Sequence, residues 1–198
     1  MKKRILLIFL CFSGVSVFAQ SGFEVKSYFG VSNALVGPKQ DLIGSPSVSM
    51  EGFKELGFLL SHGIGQKLVL NAGVNYSYST VQFSPAPCPN CTADFLYAHN
   101  PDFEMLSFPI FAEYGLGNFF YAAASPILDF QLSEVNNISD QSGFGYLVGL
   151  GGKVTTEKIS FTVFPNYKRH SVIPFEKQQG AKDILQEIGV QLGVGYRF

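Results

Sequence analysis

The chain has 198 residues, 46% of them hydrophobic and 15% aromatic, but only 15% charged, with a formal net charge of −1. Soluble domains carry ~25% charged residues, so the composition argues against an ordinary water-facing surface, and the lack of a basic field excludes a nucleic-acid partner. A chain of this length, without linkers or low-complexity tracts, makes one domain after processing.

The first element in chain order is a secretory signal. Lys2, Lys3 and Arg4 form a basic start, residues 5–17 an apolar run, and Val17-Phe18-Ala19 a cleavage site before Gln20. The run is shorter than the ~20 residues of a membrane-spanning helix. Cys11 is followed by Phe12 inside that run, not by a small lipobox residue, and is read as part of the signal. Residues 1–19 are therefore expected to be a cleaved signal peptide and residues 20–198 the mature domain. Cleavage leaves fifteen acidic residues against eleven basic ones.

Eight strands are predicted next, over 23–33, 51–60, 68–80, 104–114, 119–132, 144–154, 159–169 and 185–198. Each is near or above the ~9–11 residues a tilted strand needs to cross hydrocarbon. The third places Leu68, Leu70, Ala72, Val74, Tyr76 and Tyr78 on one face and Val69, Asn71, Gly73, Asn75, Ser77 and Ser79 on the other. The fourth opposes Leu106, Phe108, Ile110, Ala112 and Tyr114 to Ser107, Pro109, Phe111 and Glu113. The last, ILQEIGVQLGVGYRF, alternates in the same way and ends on an aromatic, with Tyr196 and Phe198 as a closing-strand signal. This period of two makes strands with one apolar face and one polar or small face.

Short connections (61–67, 115–118, 155–158) alternate with long polar ones (34–50, 81–103, 133–143, 170–184), the asymmetry of an outer-membrane barrel. The expected fold is all-β, an eight-stranded antiparallel up-and-down transmembrane barrel in the outer membrane of a Gram-negative bacterium, with both termini at the short-turn end. Hydrocarbon offers backbone groups no partners, so such a sheet has to close on itself.

The polar faces then point inward, carrying Glu24, Lys26, Glu55, Glu113, Asp129, Lys153, Lys168, Glu187 and Arg197, with glycines such as Gly73, Gly151, Gly193 and Gly195 leaving them room. An eight-stranded barrel is just wide enough for its own side chains. Buried ions cost several kcal/mol each (~3–5 when a partner is lost) unless paired, so mixed signs predict an ion-pair network that plugs the lumen, with Arg197 meeting Glu24 and Lys26. A path for protons or small ions is the competing reading. A soluble, lipocalin-like barrel would turn the apolar faces inward instead. Its polar face would be dense in Lys and Glu, whereas this one is rich in Gly, and the aromatics cluster near strand ends as interfacial girdles do.

The stretch MLSFPIFAEYGLGNFFYAAASPILDFQL (105–132), followed by FGYLVGLGGKV (144–154) and GVQLGVGYRF, resembles the PorT-like outer-membrane β-barrel family of Bacteroidetes. Phe108-Pro109 and Ala124-Ser125-Pro126 occupy the places of that family's apolar-Pro and Ala-Gly-Pro motifs; Ser107 and Ser125 depart from its acidic and Gly positions. The resemblance spans the mature chain and implies a scaffold more than an enzyme. The family's namesake takes part in protein secretion across the outer membrane, which makes a role in secretion or envelope assembly the alternative to scaffold, adhesin or receptor.

Pro109, Pro126 and Pro165 fall inside predicted strands. Proline cannot donate to a ladder, and each is expected to mark a bulge that adjusts curvature. Cys88-Pro89-Asn90-Cys91 lies in the longest polar loop, and in an oxidising exterior these two cysteines are expected to form a small disulfide stiffening it; free thiols, or a metal site with His99 and Asp94 or Asp102, are the alternatives. That loop also bears Phe95, Tyr97 and Phe103, a surface for a protein partner. Catalysis, as an outer-membrane lipid-modifying enzyme, has one candidate, His170-Ser171 with Glu176 at the start of a loop, but neighbours on a strand point to opposite faces, so the pair cannot both enter one site unless the chain has already left the strand, and no enzyme activity is expected. Lipid on the outside, a monomeric barrel and no cofactor complete the expectation.

Overall fold

A computed structural model describes residues 22–38, 47–84, 101–133, 138–176 and 183–198. Residues 1–19, Cys88 and Cys91 lie outside the described residues. The alternation becomes eight strands: β1 (Phe23–Pro38), β2 (Ser47–Ile64), β3 (Leu68–Ser84), β4 (Asp102–Gly115), β5 (Phe120–Gln131), β6 (Gly143–Thr156), β7 (Ile159–Pro174) and β8 (Asp183–Arg197). They form one closed barrel in which every strand is hydrogen-bonded to the next and β8 returns to β1. All pairings are antiparallel. At the closing seam the register runs from Glu24↔Arg197 to Pro38↔Asp183, so the terminal strand pairs with the first along nearly its whole length.

The faces follow the alternation. Val25, Phe29, Val31, Leu70, Val74, Phe108, Ile110, Leu192 and Val194 are exposed on the outer wall, while Lys26, Tyr28, Asn71, Asn75, Phe111 and Glu113 are buried inside. Several strands run further toward the long loops than predicted: β1 continues to Pro38, β2 begins at Ser47 and β7 reaches Pro174. The inner face there is apolar, as at Val36, Met50 and Val81. There the apolar residues lie on the inner face, opposite to the pattern of the strand middles, with Leu35 exposed outside on β1 but Ser49 and Gln82 next in sequence to the inward residues on β2 and β3, so the strand ends read as polar loop in the sequence.

The prolines correct an expectation. Register shifts occur between Ser32 and Ala34, Glu51 and Lys54, and Phe144 and Tyr146, not at prolines. Around Pro165 the register passes from Gly149↔Asn166 to Gly152↔Val163 with two positions left unpaired and no shift. Pro109 and Pro126 likewise interrupt pairing between Ala72↔Ile110 and Asn75↔Ser107, and between Pro109↔Ile127 and Ala112↔Ala124. A missing N–H removes hydrogen bonds but inserts no residue, so the strands stay in step.

Candidate functional site

Every second residue of eight strands meets in the lumen, which is built in four tiers. Nearest the short turns, Lys26 Nζ lies 3.0 Å from Glu113 Oε1 and 3.0 Å from Asn71 Oδ1, and Ser61 also donates to Asn71. Glu24 accepts from Lys153 Nζ at 2.6 Å and from Ser160, with Arg197 3.7 Å away. Of the expected partners, Arg197 therefore meets Glu24, whereas Lys26 turns to Glu113. Arg197 is the most exposed of the nine charges, its side chain 46% accessible at the barrel mouth. A cavity of about 200 Å³ opens there, lined by Lys67, Glu113, Phe120, Lys153 and Arg197 among others.

Above this tier lie Tyr28, Leu59, Phe111, Tyr121, Ala123 and Phe164, all buried. Phe164 stacks on Tyr121 with centroids 5.6 Å apart and meets Phe111 edge-on at 6.1 Å. The rings fit because glycines face them: a Cβ on Gly57 would strike the ring of Tyr28, and one on Gly151 the ring of Tyr121. The remaining void beside Lys26 and Gln191 measures about 20 Å³, room for about one water.

The third tier is ionic and sealed. Lys168 Nζ sits 2.5 Å from Glu55 Oε2 and 3.2 Å from Glu187 Oε2. Glu55 also accepts from Asn75 at 2.8 Å and Gln191 at 2.9 Å, Glu187 from Ser32 at 2.9 Å, and Asp129 from Ser107 at 2.7 Å. Between Asp129 and Glu187 stands His170, Nδ1 2.8 Å from the first and Nε2 2.7 Å from the second. Ionised carboxylates only accept, so a ring carrying both protons satisfies both contacts. The nine predicted lumen charges comprise five acids and four bases; an imidazolium at His170 balances them. That imbalance was the signal in the sequence that could have found His170.

Expected at the start of a loop, His170 lies inside β7 and is buried. Ser171 has φ of 47°, which breaks the alternation and turns both residues inward. The two are expected to share a side only where the chain has left the strand; instead they do so within β7, because the positive φ breaks its alternation. Ser171 Oγ nevertheless donates to the carbonyl of Ser142 at 3.2 Å, both nitrogens of His170 contact carboxylates, and Glu176 is exposed.

The fourth tier caps the lumen. Val36, Met50, Phe53, Val81, Phe103, Met105, Ile138 and Leu185 form a buried apolar cluster toward the long loops, so Phe103, expected on a partner-facing loop, instead points into the barrel from β4. Ile138 reaches it from the β5–β6 connection, which is pinned by Gln141: its Nε2 donates to the carbonyls of Ser139 at 2.6 Å and Asp183 at 3.0 Å, and its Oε1 accepts from the backbone N–H of Leu185 at 3.0 Å. Of the closing-strand aromatics, Tyr196 and Phe198 point outward and meet edge-on at 5.2 Å.

An outer wall that is largely apolar and a lumen filled with charge define the comparison. OprG, an outer membrane protein of Pseudomonas aeruginosa, superposes with a TM-score of 0.56 and 14% identity over 90% of this chain and 96% of its own. AlkL, an outer membrane protein determined in lipid bilayers, gives 0.55 and 12% over 90% of each chain. The chain has the fold of a small outer-membrane barrel. No family model and no curated protein matches it.

Proposed function

We propose that the protein is a monomeric barrel of the bacterial outer membrane, exported by its cleaved signal peptide, that passes no solute and binds a protein partner through its long extracellular loops. One observation carries the closed-lumen part of this reading and leaves the loops as the place for binding: the lumen is filled by two ionic tiers and an aromatic tier, and capped by an apolar cluster pinned through Gln141. A conducting pore needs a continuous wet path, and a charge-selective one is lined by a ring of one sign; here the lumen is filled and each inward ion faces one of opposite sign. The outer wall supports the membrane setting, because so continuous an apolar surface would be an aggregation liability in water.

In planar bilayers the protein is expected to give no channel-like current, and stepwise conductance at neutral pH would overturn the closed-lumen reading. Deleting residues 85–100 is expected to abolish partner capture from the cell surface while leaving the barrel folded. The motifs of residues 105–132 favour a second reading, participation in secretion or envelope assembly, which predicts co-purification with other envelope proteins and loss of exported proteins on deletion of the gene. Catalysis is not part of the proposal, because His170 is committed to two carboxylates and Ser171 to a backbone carbonyl.

A further inference from the structure

The outer wall is not uniform. Where β6, β7, β8 and β1 adjoin, a depression of about 740 Å³ is lined by Val31, Val148, Leu150, Pro165, Ile188 and Val190. Pro165 lies in it at the place where the β6–β7 ladder skips two pairs. Toward the long loops the lining turns polar, with Asn33 and Tyr167, whose hydroxyl donates to Gln186 at 2.9 Å.

Two residues further along β7 is Arg169. Lys168 and His170 point into the lumen, so Arg169 faces out, paired across the ladders with Tyr146 and Gln186. Its Nε is shielded from water and meets no acceptor among the described residues. Its height matters: ten residues of strand from Ile159, at ~3.3 Å each and tilted by ~40°, rise about 25 Å, the whole apolar band of such a barrel. Arg169 therefore stands near the top of that band, with Phe144, Ile173 and Phe175 exposed beyond it toward the long loops, a height from which a long side chain snorkels to the headgroups. A cation on a lipid-facing wall is costly without a counter-charge, and Tyr146 and Tyr167, with ring centroids 6.2 Å apart, flank it with amphipathic rings typical of that level.

We propose that this wall is a docking site for a phosphate-bearing membrane lipid, its phosphate held by Arg169 and one acyl chain lying in the groove past Ile188 and Pro165. A planar guanidinium offers a phosphate forked donors, and the apolar lining continues below it in the direction an acyl chain runs. The inference rests on the outer-membrane reading.

The chain contains no Trp, so a single introduced Trp reports its own surroundings. Leu150→Trp places the reporter in the groove and Val74→Trp places a control on the opposite wall, where β3 is exposed. The full mature protein is incorporated into phosphatidylcholine vesicles, and quenching is compared for phosphatidylglycerol and for diacylglycerol, both with brominated chains; only the first carries a phosphate. At Leu150→Trp, phosphatidylglycerol is expected to be favoured about fivefold, the size of one basic residue's attraction for an anionic lipid. The ratio at Val74→Trp is expected to stay near one. Adding Arg169→Gln is expected to bring the groove to the control value, and Arg169→Lys to restore part of the preference. Equal ratios on the two walls, or a preference that survives Arg169→Gln, overturn the lipid site alone. A protein that does not enter the vesicles, and migrates identically boiled and unboiled, overturns the membrane reading with it.

Discussion

Replacing Lys168 with Met keeps most of the side chain's length and deletes its charge. The ammonium, 3% exposed, contacts Glu55 at 2.5 Å and Glu187 at 3.2 Å. After the change Glu55 keeps Asn75 and Gln191, and Glu187 keeps Ser32 and His170. Breaking one partner out of a buried pair costs ~3–5 kcal/mol, and the donors that remain place Lys168→Met at the lower end, about 3 kcal/mol. For a chain of this size that is a fall in melting temperature of about 6–12 °C. The folded fraction is read from the mobility of unboiled samples after guanidinium titration in lipid vesicles. Glu55→Gln in the same background should recover at least ~1 kcal/mol, since contacting residues couple. A loss below ~1 kcal/mol, the size of an exposed ion pair, would mean that water reaches this tier and that the lumen is not sealed.

Arg197→Gln should change stability by less than ~1 kcal/mol, because that pair is solvent-screened; the same titration checks it. Gly73→Ala should prevent folding or cost several kcal/mol (~1–3 for ordinary overpacking, more here), since its Cβ would strike the backbone oxygen of Phe58, whereas Gly63→Ala, with nothing within 4 Å, should be neutral. Phe53→Ala opens the cap, where the ring is 1% exposed and sits 6.3 Å from Phe103; it should cost ~3–5 kcal/mol by the same titration and leave bilayer conductance at the wild-type background, because the tiers below still fill the lumen. His170→Asn should destabilise the barrel by about as much as Lys168→Met (~3 kcal/mol), whereas a His170 that serves only a surface loop would leave the unfolding midpoint unchanged.

Residue patterns made much of this site legible. Glu24, Lys26, Glu55, Glu113, Asp129, Lys153, Lys168 and Glu187 are all inward in the barrel as their strand positions require, and Arg197 sits beside Glu24. Two kinds of information were absent. The partner of each ion depends on strand tilt and register, so Lys26 pairs across the lumen with Glu113, 87 residues away in the chain. The place of His170 depends on a local break at Ser171, where one positive φ lets two neighbours turn inward.

What the amino-acid sequence alone determined is the strand count, the assignment of faces and the closure, because a period of two converts residue type directly into inside and outside. Only the tertiary structure decided the layering of the lumen. Which charges meet, that an aromatic tier separates them, and that Ile138 and Gln141 bring a connecting segment down over the top all depend on contacts between residues far apart in the chain, set by how eight tilted strands are staggered when the sheet closes.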